Sequence, residues 1–169
     1  MILDWTNELD KQLSWHWENQ LRPRLTGLTD DEYFWEPVPG MWSVRYGRMD
    51  FAYPPPIPAP VTTIAWRIGH LLVGVFGERI ARHFGGPAIS HASYLHPSTA
   101  ADALARLDDM YAQWIAGVRS LDDDGLSKPC GEHGFEQDPM AGLILHIHRE
   151  VIHHGAEICL LRDLYPRQN

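Results

Sequence analysis

The segment HREVIHHGAEI at residues 148–158 places acidic and imidazole side chains among apolar ones. In a helix, with roughly 100° of rotation per residue, Glu150 and His154 lie one turn apart, on the side that also carries leucines and isoleucines. A carboxylate in a helical core is costly unless it is paired or bound to a cation. Two ligands four positions apart can reach one metal ion, so Glu150 and His154 are a candidate ligand pair.

A third ligand must come from another segment, and His70 is the best candidate. It lies in WRIGHLLVG at residues 66–74. The helical periodicity supports His70 only weakly, because this segment is apolar on most sides. His83, His91 and His96 fit a bundle interior less well, since they lie near a helix end or in the loop that follows.

The same side chains have plainer interpretations. Glu150 and His154 can form an ordinary i,i+4 pair, and Glu150 can pair with an arginine. His146 and Glu150 are a competing ligand pair at the same spacing. His146 and His153 flank the apolar arc, and His148 points the other way. A lone histidine on an apolar face is more often a hydrogen-bonded core residue than a ligand, so spacing leaves these alternatives open.

Four segments with apolar residues three or four positions apart predict the helices that position these side chains. Ser98 is the predicted cap of the third helix and Asp138 that of the fourth. No stretch alternates with period two for long, so we predict no sheet. Residues 1–169 are therefore predicted to form a single all-α domain, a four-helix bundle. The predicted helices cover about residues 4–26, 62–84, 99–121 and 139–164.

Two long connections interrupt the helices: residues 36–61, with seven prolines, and residues 122–138. Long loops are often functional, so these either cap one end of the bundle or cover a substrate. We expect Trp42 and Trp66 to line a small-molecule pocket, because amphipathic rings suit ligand contact. The tryptophans on helix stripes, which we expect in the core, are Trp5, Trp17 and Trp114.

The composition argues against several kinds of partner. The net charge is -8 and no stretch is basic, so we expect no nucleic-acid partner. The most apolar run, residues 64–84, is interrupted by charged side chains and is too polar for a membrane span. The N-terminal MILDWTNELDK lacks the basic and apolar regions of a signal peptide. With only two cysteines, a cytoplasmic protein is expected.

The chain as a whole resembles the DinB/YfiT-like superfamily of bacterial four-helix metalloproteins. GMWSV at residues 40–44 resembles the Trp-Ser motif that follows the family's first helix. TTIAWRIGHLLVG at residues 62–74 resembles its second helix, and the segment from Ala141 to Tyr165, which contains EVIHHGAEICLLRDLY, resembles its fourth. The resemblance implies an all-α four-helix bundle with up-down-down-up topology.

The same resemblance implies a metal held by His70, Glu150 and His154. Many members place two histidines on the last helix, and Glu150 departs from that version. The chain looks instead like the actinobacterial thiol-dependent members, in which His, Glu and His hold zinc. Three protein ligands with one open position are typical of catalytic rather than structural zinc.

The activity implied by those members is transfer of a mycothiol-type, low-molecular-weight thiol to a small electrophile, or isomerisation through a thiol adduct. The implied cofactor is Zn²⁺, Ni²⁺ or another divalent ion. His146 and His153 are candidate partners of the ligands or proton carriers. Two alternatives stay open: a metal-dependent hydrolase that uses an activated water, and a non-catalytic, stress-associated metal-binding protein that forms a homodimer.

Overall fold

The computed structural model describes residues 3–168 and is built mainly from four long helices. None of the helices in this part of the chain is long and apolar enough to cross a membrane. Helix α1 spans Trp5–His16 and continues through a π-helical turn at Trp17–Leu21 to a last turn at Arg22–Arg24, and α2 is a short helix at Asp30–Tyr33. Helix α3 spans Ile64–His70 and continues through a π-helical segment at Leu71–Gly77 to Glu78–His83. The remaining helices are α4 (Ala100–Arg119), α5 (Asp123–Ser127) and α6 (Met140–Leu164), and a 3₁₀ turn at Tyr165–Arg167 follows α6.

The four long helices share one hydrophobic core. Helices α1 and α3 each pack against both α4 and α6. Full burial of one large apolar side chain stabilises the fold by about 1.5 to 3 kcal/mol. The predicted all-α class is confirmed, while the up-down-down-up order of helix directions stays a prediction. Among the fully buried side chains of this core are Leu13, Leu21, Ile68, Phe76, Leu107, Trp114, Ile144 and Ile158.

Threonine side chains cap the start of two long helices. The Thr63 hydroxyl accepts a hydrogen bond from the Trp66 N–H at 3.2 Å, at the start of α3. The Thr99 hydroxyl accepts the Asp102 N–H at 3.2 Å, at the start of α4. The cap predicted at Ser98 is therefore wrong by one position, because two neighbouring hydroxyl residues can both serve.

The cap predicted at Asp138 is also wrong. Helix α6 begins at Met140, and Pro139, which has no side-chain acceptor, occupies the cap position. The Asp138 carbonyl accepts the Cys130 N–H at 2.8 Å, so this residue belongs to the preceding loop. This hydrogen bond runs across the preceding loop and goes with a helix start two residues after Asp138.

A small hairpin contradicts the prediction that no sheet is present. Strands β1 (Val44–Arg45) and β2 (Arg48–Met49) pair antiparallel. The turn between them uses positive φ at Tyr46 (52°) and Gly47 (72°), which is the conformation of a tight two-residue hairpin turn. Strands of two residues are too short for a period-two pattern to be visible in the sequence.

The tryptophans on the predicted helix stripes do not all lie in the core. Trp17 and Trp114 are buried, as expected, but Trp5 is 56% exposed. Trp5 is the first residue of α1, so the apolar stripe of this helix extends beyond the part that packs against its neighbours.

His148 is buried although it was predicted to point away from the apolar side of α6. Its ring is fully inaccessible and meets Trp114 edge-on, with centroids 6.2 Å apart. Neither ring nitrogen has a hydrogen-bond partner among the described residues. The reason is that α6 packs against both α1 and α3, so it buries a wider face than one arc of leucines and isoleucines indicates.

We expect this buried imidazole to make the fold sensitive to acid. Burial lowers the pKa of His148 to about 4, and the Asp10 carboxylate opposes the shift only in part. The unfolded chain, with a pKa of about 6.5, takes up the proton first, so stability falls as pH drops from about 6.5 to 4. Between pH 7.5 and pH 5, the free energy of unfolding should fall by about 2 kcal/mol less in His148→Leu than in wild type.

Urea unfolding at both pH values measures this difference. His133→Leu is the matched control, because the His133 side chain is fully exposed. An unchanged pH dependence in His148→Leu would show that the buried ring does not titrate in this way.

Candidate metal centre

Three side chains from two helices converge at the interface of α3 and α6. His70 ends the first α-helical part of α3, and Glu150 and His154 lie one turn apart on α6. One potential ligand atom of each lies within 4.8 Å of the others. The His70 and His154 rings meet edge-on with centroids 4.8 Å apart, and His154 Nε2 lies 3.6 Å from Glu150 Oε2. The structure therefore brings together the three residues singled out as candidate ligands.

Both imidazoles of this group are in the protonation state that binds metals. Burial lowers the pKa of His70 to about 4, and the neighbouring His154 acts in the same direction. Burial also lowers the pKa of His154 to about 4, helped by the nearby charges of His153 and Arg67. Both rings are therefore neutral near pH 7, and neutral imidazole is the ligand form.

The donor set and its spacing fit a divalent ion. Two imidazole nitrogens and a carboxylate oxygen suit zinc, nickel, iron or manganese. Two ligand atoms at about 2.0 to 2.2 Å from one ion, at a near-tetrahedral angle, lie roughly 3.3 to 3.6 Å apart. The 3.6 Å between His154 Nε2 and Glu150 Oε2 matches that separation, and a ligand atom of His70 lies within 4.8 Å of both residues.

The group lies at the edge of the core, within reach of solvent. The Glu150 side chain is 27% exposed and that of His154 is 13% exposed. A structural zinc site, in contrast, has four protein ligands and no open coordination position. The partial exposure leaves access for a small molecule.

A second group of potential ligands shares His154 and consists of His153, His154 and Glu157. Here Glu157 Oε2 accepts hydrogen bonds from the Arg67 guanidinium and, at 2.8 Å, from His154 Nδ1. The His153 side chain is 61% exposed. A guanidinium already neutralises Glu157 and repels any dication placed beside it, so the group with His70 is the better metal position.

Arg67 and Glu157 are residues of this site that sequence reasoning missed. Glu157 follows His154 by three positions, which is a spacing at which side chains meet on a helix. That signal was available in the sequence. The pairing with Arg67 was not, because it joins two helices through their packing.

His91 also lies beside the metal group, although it was expected to fit less well than His70. Its ring is parallel to that of His70, with centroids 6.3 Å apart. Gly74, in the π-helical segment one turn after His70, provides the space for both rings. A Cβ there would lie 3.0 Å from two His70 ring atoms and 3.1 Å from His91 Nε2.

The two tryptophans predicted to contact a ligand form an aromatic path to His70. Trp66 stacks on the His70 ring with centroids 5.5 Å apart, and Trp42 lies 6.2 Å from Trp66. Phe51, which is 73% exposed, lies 6.3 Å from Trp42. The Trp66 Nε1–H donates to the Asp50 carbonyl at 2.9 Å, which fixes its ring. An aromatic surface therefore extends from the solvent to the metal group.

A cavity of about 370 Å³ is lined by the first part of α6 and the loop before it. Its lining includes His146 and Arg149, which approach Glu150 Oε1 to 3.7 and 3.8 Å. Arg149 also donates to His146 Nδ1 at 2.6 Å. Of the two histidines expected to assist the ligands, His146 thus lies beside Glu150, and His153 lies beside Glu157 at the surface.

Comparison with known proteins identifies the family of the chain. A family model described as the DinB superfamily matches residues 49–158, a range that contains His70, Glu150 and His154. Neither the curated proteins nor the solved structures gave a match. Because the matched range covers well over half of the chain, the protein belongs to the DinB superfamily.

Proposed function

We propose that this protein is a divalent-metal-dependent enzyme that transfers a low-molecular-weight thiol to a small electrophile, or isomerises the electrophile through a thiol adduct. The observation that carries the proposal is the convergence of His70, Glu150 and His154, with ligand atoms within 4.8 Å of one another. DinB-like proteins generally bind metals. The replacement of one histidine by Glu150 resembles the thiol-dependent members of the family.

The chemistry needs a thiolate at neutral pH. A divalent ion at this position would stabilise the thiolate form of a low-molecular-weight thiol, which is the nucleophilic form. The thiolate sulfur forms a bond to an electrophilic carbon, and the thiol proton leaves to a base or to solvent. In transfer, a leaving group departs from the electrophile, whereas in isomerisation the new carbon–sulfur bond breaks again.

Different parts of the chain would hold the two ends of the substrate. Trp66 and Trp42 offer flat apolar surfaces beside His70. The cavity lined by His146 and Arg149, both of which approach Glu150, offers a second place for part of the substrate. His91 and His146 are the imidazoles placed to carry the thiol proton, because each lies beside one member of the metal group.

Metal-dependent hydrolysis without a thiol is a second candidate, and one observation favours it. A hydrolase needs a base besides the metal ligands, and none was evident in the sequence. His91 could supply it, since its ring lies beside His70 and burial lowers its pKa, which keeps it unprotonated near pH 7.

Turnover with a panel of electrophiles, with and without added thiol, distinguishes these functions. We expect turnover by zinc-loaded protein only when mycothiol or a related thiol is present. Turnover without thiol would favour hydrolysis, and none under either condition would contradict both enzymatic proposals. Glu150→Gln is the control, because it keeps the shape of the side chain and should lose both metal and turnover.

A further inference from the structure

We propose that Glu157, held in place by Arg67, is a positioning residue of the metal centre that fixes the tautomer and ring orientation of His154. The inference rests on the metal site of the proposed function, but its geometry is independent of which reaction follows. It assigns a purpose to two half-buried charged residues that the candidate ligand set does not include.

The hydrogen bond to Glu157 determines which nitrogen of His154 is free. An ionised carboxylate only accepts hydrogen bonds, so the His154 Nδ1 atom, 2.8 Å from Glu157 Oε2, must carry the proton. The Nε2 atom of the neutral ring then carries a lone pair. The Nε2 atom lies 3.6 Å from Glu150 Oε2, which is also an acceptor. Two acceptors that face each other at this distance favour a cation between them.

Arg67 explains why Glu157 stays in this position. Its guanidinium donates to Glu157 Oε2, and its side chain is only 14% exposed. Arg67 lies on α3 one turn before His70, and Glu157 lies on α6 one turn after His154. The ion pair therefore joins the two helices next to the ligands that each helix contributes, which holds the ligands at the spacing that one ion requires.

Carboxylate partners of metal-bound histidines typically contribute about 10- to 100-fold to metal affinity. We expect Glu157→Ala to weaken zinc binding, measured by competition with a chelator, by about that factor. The zinc affinity of Glu157→Gln, which retains a neutral acceptor, should lie between that of Glu157→Ala and that of wild type. Asp163→Asn is the matched control. Asp163 lies on α6, as Glu157 does, and its carboxylate pairs with Arg24 of α1, away from the metal group.

The tautomer of His154 gives a second readout that needs no metal. In ¹⁵N spectra of the metal-free wild type, His154 should be protonated on Nδ1. Glu157→Ala should change the ratio of the Nδ1-protonated to the Nε2-protonated tautomer. Zinc affinity within twofold of wild type in folded Glu157→Ala, or protonation on Nε2 in the wild type, would overturn the inference. If the wild type binds no divalent ion, the metal site fails, while the tautomer still decides whether Glu157 orients the ring.

Discussion

His70→Ala is expected to abolish stoichiometric binding of a divalent metal, whereas His153→Ala should bind it almost as well as wild type. His70 belongs only to the group with Glu150 and His154, and His153 belongs only to the group with Glu157. The two substitutions therefore distinguish between the two candidate metal positions found within residues 3–168. Loss of a direct ligand should reduce metal affinity by more than the roughly 10- to 100-fold that is typical when a hydrogen-bond partner of a ligand is lost.

Isothermal titration with Zn²⁺, checked by metal analysis after dialysis, measures the effect. The two variants are matched, because each removes one imidazole from the same region of the fold. Circular dichroism should show unchanged helix content for both. The reverse pattern, with binding lost in His153→Ala and retained in His70→Ala, would place the metal at the surface group instead.

Arg162→Met is expected to lower the free energy of unfolding by about 3 to 5 kcal/mol, the range typical of a broken buried ion pair. The Arg162 Nε atom donates to Glu32 Oε1 at 2.7 Å, and its Nη2 atom donates to Oε2 at 3.2 Å. Glu32 is only 5% exposed. Without its partner, the carboxylate would lie unpaired in a poorly solvated place. Arg162 also donates to the carbonyls of Arg24 and Thr26, so it ties the end of α6 to the end of α1.

Urea unfolding at pH 7 measures this loss of stability. Lys11→Met serves as the control, because it breaks the exposed pair of Lys11 with Glu8, for which we expect a change below about 1 kcal/mol. The double substitution Glu32→Leu with Arg162→Met should recover part of the loss, since it leaves no unpaired charge. A change in Arg162→Met as small as that in Lys11→Met would show that the pair contributes little.

The helices could be predicted from the sequence because their apolar residues recur with the helical period over 20 or more residues. The i,i+4 spacing likewise indicated Glu150 and His154 as a pair on one face. Periodicity supported His70 only weakly, since α3 is apolar on most sides. The family resemblance strengthened that choice, and the packing of α3 on α6 places His70 beside the pair.

The features that escaped prediction depend on contacts distant in sequence. The Arg67–Glu157 pair joins two helices, and burial of His148 depends on the number of neighbours that α6 has. Local patterns contain none of this information.

In the proposed site, His70, Glu150 and His154 hold one divalent cation and leave a coordination position open. Crystallography of the zinc-loaded protein, with anomalous diffraction at the zinc edge, shows whether they do. We predict a single peak at about 2.0 to 2.2 Å from one atom of each residue, with a non-protein ligand at the remaining position. A peak between His153 and Glu157, or stoichiometric zinc with no peak near His70, would contradict the claim.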